Sequence, residues 1–159
     1  MENNDIKRIL FVCLGNICRS CTAEEIMRTL LRREGLDKMI EVDSAGLISY
    51  HQGEEADPRM RAHAARRGYY ITHLSRPGRM TDFEEFDLII GMDDSNMRNM
   101  HRMLGGDPDG KIHALLDYAG RAGESIADPW YTGNFDETYA DVLEGCQGLL
   151  EQLKKQSGR

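Results

Sequence analysis

The sequence predicts an α/β fold, a single domain in which a four-stranded, doubly wound parallel sheet carries helices on both faces. Short apolar runs alternate along the chain with longer stretches whose apolar residues recur at helical spacing. This alternation favours a parallel sheet, and right-handed crossovers limit its topology. At 159 residues the chain is long enough for one substantial core, and it shows no linker, internal repeat or low-complexity tract. We therefore expect residues 1–159 to form one domain.

The first half of the chain contains two predicted strands and two predicted helices. The apolar run at residues 9–12 is typical of a buried strand, and a helical pattern follows over about residues 21–34, where a glycine ends it. Residues 40–42 predict a second strand, which runs on into a Ser-Ala-Gly sequence. A helix over residues 57–68 begins with an Asp-Pro pair, because aspartate caps a helix and proline suits its first position, and a glycine ends it.

The second half repeats the alternation. Residues 87–92 predict a buried third strand, and residues 94–104 predict a helix that ends in a Gly-Gly pair. The fourth predicted strand covers residues 112–116. An irregular, glycine-rich stretch at residues 117–134 precedes the last predicted helix, over about residues 135–155.

The predicted strands also place a candidate site. In an open parallel sheet, ligands bind at the carboxyl ends of the strands. The residues that follow the four strands therefore share one rim of the sheet. They are Cys13, Ser44, Asp93 and the loop that carries Asp128.

The segment between the first strand and the first helix has the composition of an anion-binding loop. Its sequence is Cys13-Leu14-Gly15-Asn16-Ile17-Cys18-Arg19-Ser20. A tight loop that leads from a strand into a helix turns backbone N–H groups inward, and the helix macrodipole adds partial positive charge. Cys13 stands at the floor of this cradle, where a positive environment favours a thiolate, and Arg19 can reach two phosphate oxygens in bidentate fashion. We expect Cys13, as the nucleophile, and Arg19, as the phosphate clamp, to face one tetrahedral anion.

Each of these residues also has an ordinary structural interpretation. A lone cysteine at a strand end is usually a small buried apolar residue, and an arginine near a helix start is usually solvated. The Cys-x5-Arg spacing also occurs by chance. The strand before the loop, the glycine and asparagine within it and the helix after it all agree with an anion site, so we favour the catalytic interpretation.

Composition argues against nucleic-acid and membrane partners. The formal net charge is −7 and the isoelectric point is near 5.2, whereas a phosphate backbone or an anionic lipid surface requires dense basic patches. No apolar stretch approaches the ~18 residues of a membrane span, and the polar opening residues 1–5 lack the features of a signal peptide. We expect a cytoplasmic protein that is a monomer or a weak dimer.

Four cysteines without a secretory signal favour reduced thiols over a disulfide framework. Cys146 lies on the apolar stripe of the last predicted helix and is expected in the core. Cys18 and Cys21 form a Cys-x-x-Cys pattern, which could indicate a dithiol or half of a zinc site. No second Cys/His pair has ligand spacing, so no metal or cofactor is predicted. Residues 105–111 cover most of a Walker A pattern, but they lead from a helix to a strand, and we interpret them as a turn.

Several motifs resemble, in their order along the chain, those of the low molecular weight protein tyrosine phosphatases. The segments that carry them are Val12 to Ser20, Asp43 to Gly46, Asp57 to Arg59 and Asp128 to Tyr131. The resemblance runs from the first strand to the last helix, and it implies a sheet of flavodoxin-like topology. One departure is Cys21, because the family usually has proline after the Arg-Ser pair. Since proline at a first helical position only fixes φ, we expect a slightly less rigid loop and the same chemistry.

The resemblance implies metal-independent, cofactor-free hydrolysis of phosphotyrosine in protein substrates, with inorganic phosphate and other oxyanions as inhibitors. Cys13 would be the nucleophile, Arg19 the phosphate clamp and Asp128 the general acid and base. An Asp-Pro pair alone is an ordinary turn signal, and the resemblance is what gives Asp128 this role. The residues expected to contact substrate are Leu14, Gly15, Asn16, Ile17, Cys18, Ser20, Tyr50, Trp130 and Tyr131.

Supporting and redox roles are implied in the same way. Positions that form a hydrogen-bond network around the loop in the family match Asn16, Ser20, Ser44 and His73, with the Ser20 hydroxyl directed at the Cys13 sulfur. The resemblance also implies a reversible Cys13–Cys18 disulfide that protects the nucleophile from overoxidation. Cys21 is an additional thiol that could compete in this reaction.

Three other functions stay open on the sequence. Thiol-dependent arsenate reductases share the nucleophile loop but need further cysteines, and residues 74–100 contain none. Related protein-arginine phosphatases have a small polar residue at the position of Ile17, so the apolar side chain favours an aryl substrate. A non-catalytic phosphate-binding or redox-sensing module would not require Asp128.

Overall fold

A computed structural model describes residues 5–158, and a four-stranded parallel sheet forms its centre. The strands are β1 (Arg8–Cys13), β2 (Glu41–Gly46), β3 (Leu88–Gly91) and β4 (Ile112–Ala114). They lie in the order β2-β1-β3-β4 and every neighbouring pair is parallel, which confirms the predicted doubly wound, flavodoxin-like sheet. The strand order reverses between β1 and β3, and such sheets bind ligands at the carboxyl ends of the strands there.

Six helices and one 3₁₀ turn connect and cover the strands in the described part of the chain. The helices are α1 (Arg19–Arg33), α2 (Pro58–Ala65), α3 (Met80–Glu85), α4 (Asp94–Leu104), α5 (Pro129–Thr132) and α6 (Phe135–Gln156). The predicted bounds of α4 are confirmed, and α6 ends one residue beyond its prediction. Asp57 caps α2, as the sequence predicts, because it accepts from Arg59 N, and Asp93 caps α4 by accepting from Asn96 N.

The alternation of side chains along β1 divides the core between the two faces of the sheet. Ile9 and Phe11 face the core built with α1, α2 and α6, whereas Leu10 and Val12 face a smaller core completed by α4 and the segment before β3. All four side chains are nearly inaccessible to solvent. Helices therefore cover both faces, as predicted.

Some sequence-based bounds were wrong. The first helix begins at Arg19 and not at residue 21, and β2 continues to Gly46 because its last residues pair with the end of β1. The fourth strand stops at Ala114, since residues 115–119 turn into a 3₁₀ helix that packs under α6. The 3₁₀ helix and α6 pack closely, since a Cβ at Gly148 of α6 would lie 1.9 Å from the Tyr118 carbonyl oxygen.

Helix α3 and the short helix α5 were missed. Each has fewer than two turns, so neither shows a full helical period in the sequence. The buried Asp82 carboxylate accepts the Arg79 N–H at 2.7 Å and so closes the first turn of α3. Residues 1–4 of the polar opening lie outside the described part of the chain. Within the described part, no helix is both long and apolar enough to cross a bilayer.

Candidate active site

The loop between β1 and α1 forms the floor of the candidate site. Cys13 is the last residue of β1, Cys18 caps α1 and Arg19 is its first residue. Asn16, with φ of 59°, is the one non-glycine residue of the described chain that has a positive φ. Asparagine tolerates this conformation better than most residues, so it can reverse the chain within a five-residue loop.

The carbonyl groups around this loop point away from its concave side. Five of these carbonyl groups accept a hydrogen bond from outside the loop or from the next turn of α1. The bonds are Leu47 N to Cys13 O (3.0 Å), Ile48 N to Leu14 O (3.1 Å), Ser75 Oγ to Gly15 O (2.9 Å), Asp57 N to Ile17 O (2.8 Å) and Thr22 Oγ1 to Cys18 O (2.6 Å). With the carbonyl groups bonded outward, the N–H groups face the concave side, which suits a tetrahedral anion.

Two donors surround the Cys13 sulfur. Its Sγ lies 3.0 Å from Ser20 Oγ, the position predicted for this hydroxyl, and the Asn16 N–H reaches it at 3.3 Å. The Cys13 side chain is buried at the N-terminus of α1. The sulfur of the predicted nucleophile therefore has a hydrogen-bond partner from the loop and another from the first turn of α1.

Arg19 is buried and points into the site. Its Nη1 donates to Asp93 Oδ2 at 2.6 Å and to the Ile126 carbonyl at 2.9 Å, and its Nη2 lies 3.3 Å from Asp128 Oδ2. Burial opposes the charge, but Cys13 and Asp93 raise the pKa of Arg19 further above its usual value. Among buried side-chain nitrogen and oxygen atoms of the described residues, Arg19 Nε alone has no hydrogen-bond partner. A buried donor of this kind is costly unless a ligand satisfies it.

The predicted supporting network is present behind the loop. The Asn16 side-chain amide donates to Ser20 Oγ at 2.7 Å and to Ser44 Oγ at 3.0 Å. Its Oδ1 lies 2.9 Å from His73 Nε2 and accepts the Arg76 N–H at 3.0 Å. The Asn16 and Ser20 side chains are fully buried and hold the loop from behind, and contact of these two residues with substrate stays a prediction.

Glu24 completes this network, and sequence reasoning missed it. Its Oε1 accepts from Ser44 Oγ at 2.7 Å and lies 3.0 Å from His73 Nδ1. Burial opposes ionisation, but His73, Ser44 and Arg28 lower the pKa of the Glu24 carboxyl below its usual value. The available signal was helical spacing, since Glu24 stands one turn after Ser20 on the same face of α1.

Asp128 stands above the loop at the start of α5. Its Oδ1 accepts the Trp130 N–H at 3.0 Å, which makes it the N-cap of that helix, and Oδ2 faces Arg19. The preceding segment is fixed by Ile126 N to Met92 O at 2.8 Å and by Thr138 Oγ1 to Ala127 O at 3.0 Å. The Asp128 side chain is about one-fifth exposed and lines the cleft above the loop.

A cleft of about 280 Å³ rises from the loop to the surface. Of the predicted site residues, its lining includes Cys13, Leu14, Gly15, Ile17, Cys18, Arg19, Tyr50, Asp128, Trp130 and Tyr131. The three aromatic residues are largely exposed and form its walls. The cleft combines an anion floor with aromatic walls, an arrangement that suits an aryl phosphate.

Comparison with known proteins places the chain in a family. Residues 8–159 match the sequence profile described as low molecular weight phosphotyrosine protein phosphatase. This chain belongs to that family.

Relatives and solved structures agree with this assignment. The low molecular weight protein-tyrosine-phosphatase YfkJ of Bacillus subtilis is 38% identical over 150 residues, covering 93% of this chain and 96% of its own. The crystal structure of YfkJ superposes with a TM-score of 0.90 over 96% of this chain and 97% of that chain. A crystal structure described as DARP, drosophila arginine phosphatase, is 37% identical with a TM-score of 0.82, over 92% of this chain and 97% of that one.

Two further residues of this low molecular weight phosphatase line the cleft without having been predicted. Ile48 and His51 follow β2 on the same loop as Tyr50. The His51 ring contacts Tyr50 and Trp130 edge to face, with centroid distances of 4.8 and 5.4 Å. Its Nδ1 lies 2.9 Å from Glu54 Oε2, which orients the ring. The adjacency of His51 to Tyr50 was the only sequence signal.

The two cysteines that follow the loop occupy different environments. Cys18 lines the cleft together with Cys13, and burial and the nearby Cys13 raise the pKa of its thiol. Cys21 is fully buried, and its Sγ donates to the Cys18 carbonyl at 3.5 Å. It is the third residue of α1, so the departure from proline is not at the first helical position as expected. The N–H of a third helical residue has no acceptor within its helix, so proline and cysteine both fit there.

One group among the described residues has the spacing of metal ligands. Ligand atoms of Glu24, Asp43 and His73 lie within 4.8 Å of one another. They already bond to Ser44, Arg76 and Asn16 within the network behind the loop. These contacts account for the cluster as hydrogen-bond partners, and we assign it no metal or cofactor.

Proposed function

We propose that this chain hydrolyses phosphotyrosine in proteins through a cysteinyl-phosphate intermediate, without metal or cofactor, and that residues 1–159 act as one phosphatase domain. One observation carries the proposal. Cys13 and Arg19, whose buried Nε has no hydrogen-bond partner, line one cleft, and the carbonyl groups of its floor loop are bonded outward. A dianionic phosphoryl group satisfies both the inward N–H groups and the arginine.

The first step transfers the phosphoryl group to sulfur. The Cys13 thiolate attacks phosphorus in line, the bond from phosphorus to the tyrosine oxygen breaks, and Asp128 gives that oxygen a proton. Loop N–H groups and Arg19 hold the equatorial oxygens. Asp93 and the Ile126 carbonyl hold the Arg19 guanidinium in place for this contact.

The second step releases inorganic phosphate. A water molecule attacks phosphorus while Asp128, now ionised, takes its proton, and the sulfur–phosphorus bond breaks. Ser20 Oγ, 3.0 Å from Cys13 Sγ, stabilises the departing thiolate by a hydrogen bond. The products are phosphate and the regenerated thiolate, so phosphate and similar oxyanions are competitive inhibitors.

The cleft favours a long, flat substrate. Tyr50, Trp130 and Tyr131 extend above the floor, so a phenyl ring packs between them, whereas the shorter phosphoserine and phosphothreonine do not reach as far. Ile17 adds an apolar surface at the floor, which favours an aryl ester over a charged guanidine. The likeness to an arginine phosphatase makes phosphoarginine the second substrate to test.

We include redox control and a cytoplasmic location in the proposal. Cys13 and Cys18 line one cleft, which supports a role for Cys18 in trapping an oxidised Cys13 as a disulfide. The four cysteines are free thiols, and the proposed nucleophile requires a reducing compartment. We expect a monomer or a weak dimer. Arsenate reduction is disfavoured, because Cys146 is buried on α6 and cannot relay a disulfide from the loop.

The decisive experiment is turnover of phenyl phosphate in the presence of a chelator, by wild-type protein and Cys13→Ser. We expect turnover only by the wild type, while the variant still binds phosphate, because N–H groups and Arg19 form the cradle. Parallel assays with phosphotyrosine and phosphoarginine peptides, and with arsenate and thiol, separate the rival activities. Chelator-sensitive turnover or an active Cys13→Ser variant would overturn the proposal.

A further inference from the structure

An extended segment at residues 73–78 lies against the outside of the phosphate-binding loop, and we call it the brace segment. On one side its backbone bonds to the end of β2, through Gly46 N to Arg76 O and Gly78 N to Gly46 O, both 2.8 Å. On the other side it bonds to the turn after Tyr50, through Gly53 N to Ser75 O at 2.7 Å and Ser75 N to Glu54 O at 2.9 Å. The segment is therefore held along both edges.

Besides the His73 contact already described, the brace segment makes two hydrogen bonds to the loop. Ser75 Oγ donates to the Gly15 carbonyl at 2.9 Å, and the Arg76 N–H donates to Asn16 Oδ1 at 3.0 Å. Ser75 is 3% exposed, so little solvent is available to replace its hydroxyl. These two bonds end on Gly15 and Asn16, where the loop reverses direction.

The Ser75 bond fixes the direction of a catalytic N–H group. Gly15 C=O and Asn16 N–H belong to the same planar, trans peptide unit, so they point in opposite directions. Holding the Gly15 carbonyl outward therefore aims the Asn16 N–H inward, where it lies 3.3 Å from Cys13 Sγ. Without the Ser75 hydroxyl, this peptide unit can rotate and turn a carbonyl toward the bound anion.

The Arg76 side chain anchors the brace segment. Its Nη2 donates to Asp43 Oδ2 at 2.9 Å and its Nη1 donates to Asp82 Oδ2 at 3.0 Å. Asp82 is fully buried, and it also accepts the Arg79 N–H. Burial opposes its charge, but Arg76 lowers the pKa of the Asp82 carboxyl. One guanidinium thus ties the brace segment to β2 and to α3.

We propose that Ser75 and Arg76 are positioning residues for phosphate binding: Ser75 orients the Gly15–Asn16 peptide unit, and Arg76 anchors the brace segment that carries Ser75. This inference rests on the proposed function and assigns it two residues outside the loop. The proposed role is to orient one donor, the Asn16 N–H. It therefore affects affinity for the phosphoryl group and does not affect proton transfer to the leaving group.

The test compares Ser75→Ala with Ser95→Ala, which removes an exposed hydroxyl on α4. KM for p-nitrophenyl phosphate and phenyl phosphate and the inhibition constant of inorganic phosphate are measured for both variants and the wild type. We expect Ser75→Ala to raise all three constants by roughly fivefold to thirtyfold, the effect of a buried carbonyl left without its donor. Ser95→Ala should match the wild type.

A Ser75→Ala protein that folds and keeps the wild-type KM and inhibition constant overturns the inference. So does a loss confined to kcat, because that result indicates fewer active molecules and not a weaker phosphate site. Arg76→Gln should change the constants in the same direction, whereas Arg79→Gln, at a largely exposed side chain, should not. Failure of the proposed function is recognised separately, as absent wild-type turnover or an active Cys13→Ser variant.

Discussion

Replacing Asp128 by asparagine tests proton donation while disturbing little else. Asparagine is as good an N-cap as aspartate, so the bond from Trp130 N at 3.0 Å and helix α5 should persist. Arg19 loses one neighbouring carboxylate but keeps Asp93 and the Ile126 carbonyl. We therefore expect the folded stability to change by less than about 1 kcal/mol.

The expected kinetic effect depends on the leaving group. A positioned general acid contributes about 10²–10⁴-fold, or about 3–5 kcal/mol of barrier, when the departing oxygen is strongly basic. Phenyl phosphate has such a leaving group, so Asp128→Asn should lose this factor in kcat/KM. Nitrophenolate leaves without a proton, so the loss on p-nitrophenyl phosphate should be about tenfold or less.

The assay is steady-state hydrolysis of both substrates by the wild type, Asp128→Asn and Asp128→Ala. The alanine variant should show the same contrast and be less stable by about 1 kcal/mol, because it also loses the cap on α5. An equal loss on both substrates refutes the reasoning, because it shows that Asp128 orients the loop or Arg19 and does not donate a proton.

Three further predictions concern the clamp, the thiols and the network. Arg19→Lys should lose roughly 10²–10³-fold in kcat/KM, because an ammonium cannot replace a planar fork, and near-normal activity would place the clamp elsewhere. After peroxide treatment, dithiothreitol should restore the activity of the wild type more fully than that of Cys18→Ser. Peptide mapping of the oxidised wild type should find a Cys13–Cys18 crosslink, and a crosslink to the buried Cys21 would contradict this prediction. Glu24→Gln should lower the free energy of unfolding at pH 7 by about 1–3 kcal/mol. Since the folded pKa of Glu24 is lowered, its contribution is present above the unfolded pKa of about 4.3 and is lost as the pH falls through the lower folded value. Denaturant titrations of the variant and the wild type should therefore converge as the pH is lowered below the unfolded value, and a constant difference in the free energy of unfolding would exclude this linkage.

Local chemistry explains why the loop could be predicted from sequence. Cys13, Arg19 and the residues between them are consecutive, and the strand before and helix after them follow from periodicity. Their arrangement around an anion is a property of one strand–loop–helix unit. Asp128 is different, because an Asp-Pro pair has no specific meaning until family resemblance gives it one.

The contacts that complete the site join residues far apart in the chain. Arg19 meets Asp93 and the Ile126 carbonyl across sequence separations of 74 and 107 residues. The parallel direction of the strands can be expected from alternating strands and helices, so the sequence did place Asp93 on the correct rim. Which atom of which side chain reaches the guanidinium depends on the packed loops, and no periodic pattern encodes it.

The sequence alone predicted the α/β class and the strand–loop–helix unit that carries Cys13 and Arg19, because hydrophobic periodicity and consecutive residue types are local properties. Tertiary structure decided how the loop is held. Glu24 joined the network because α1 brings it beside His73, and Ser75 reached Gly15 because the brace segment lies between β2 and a turn. Such buried polar groups are selected by the requirement that each donor and acceptor find a partner, and that requirement is met only in the folded chain.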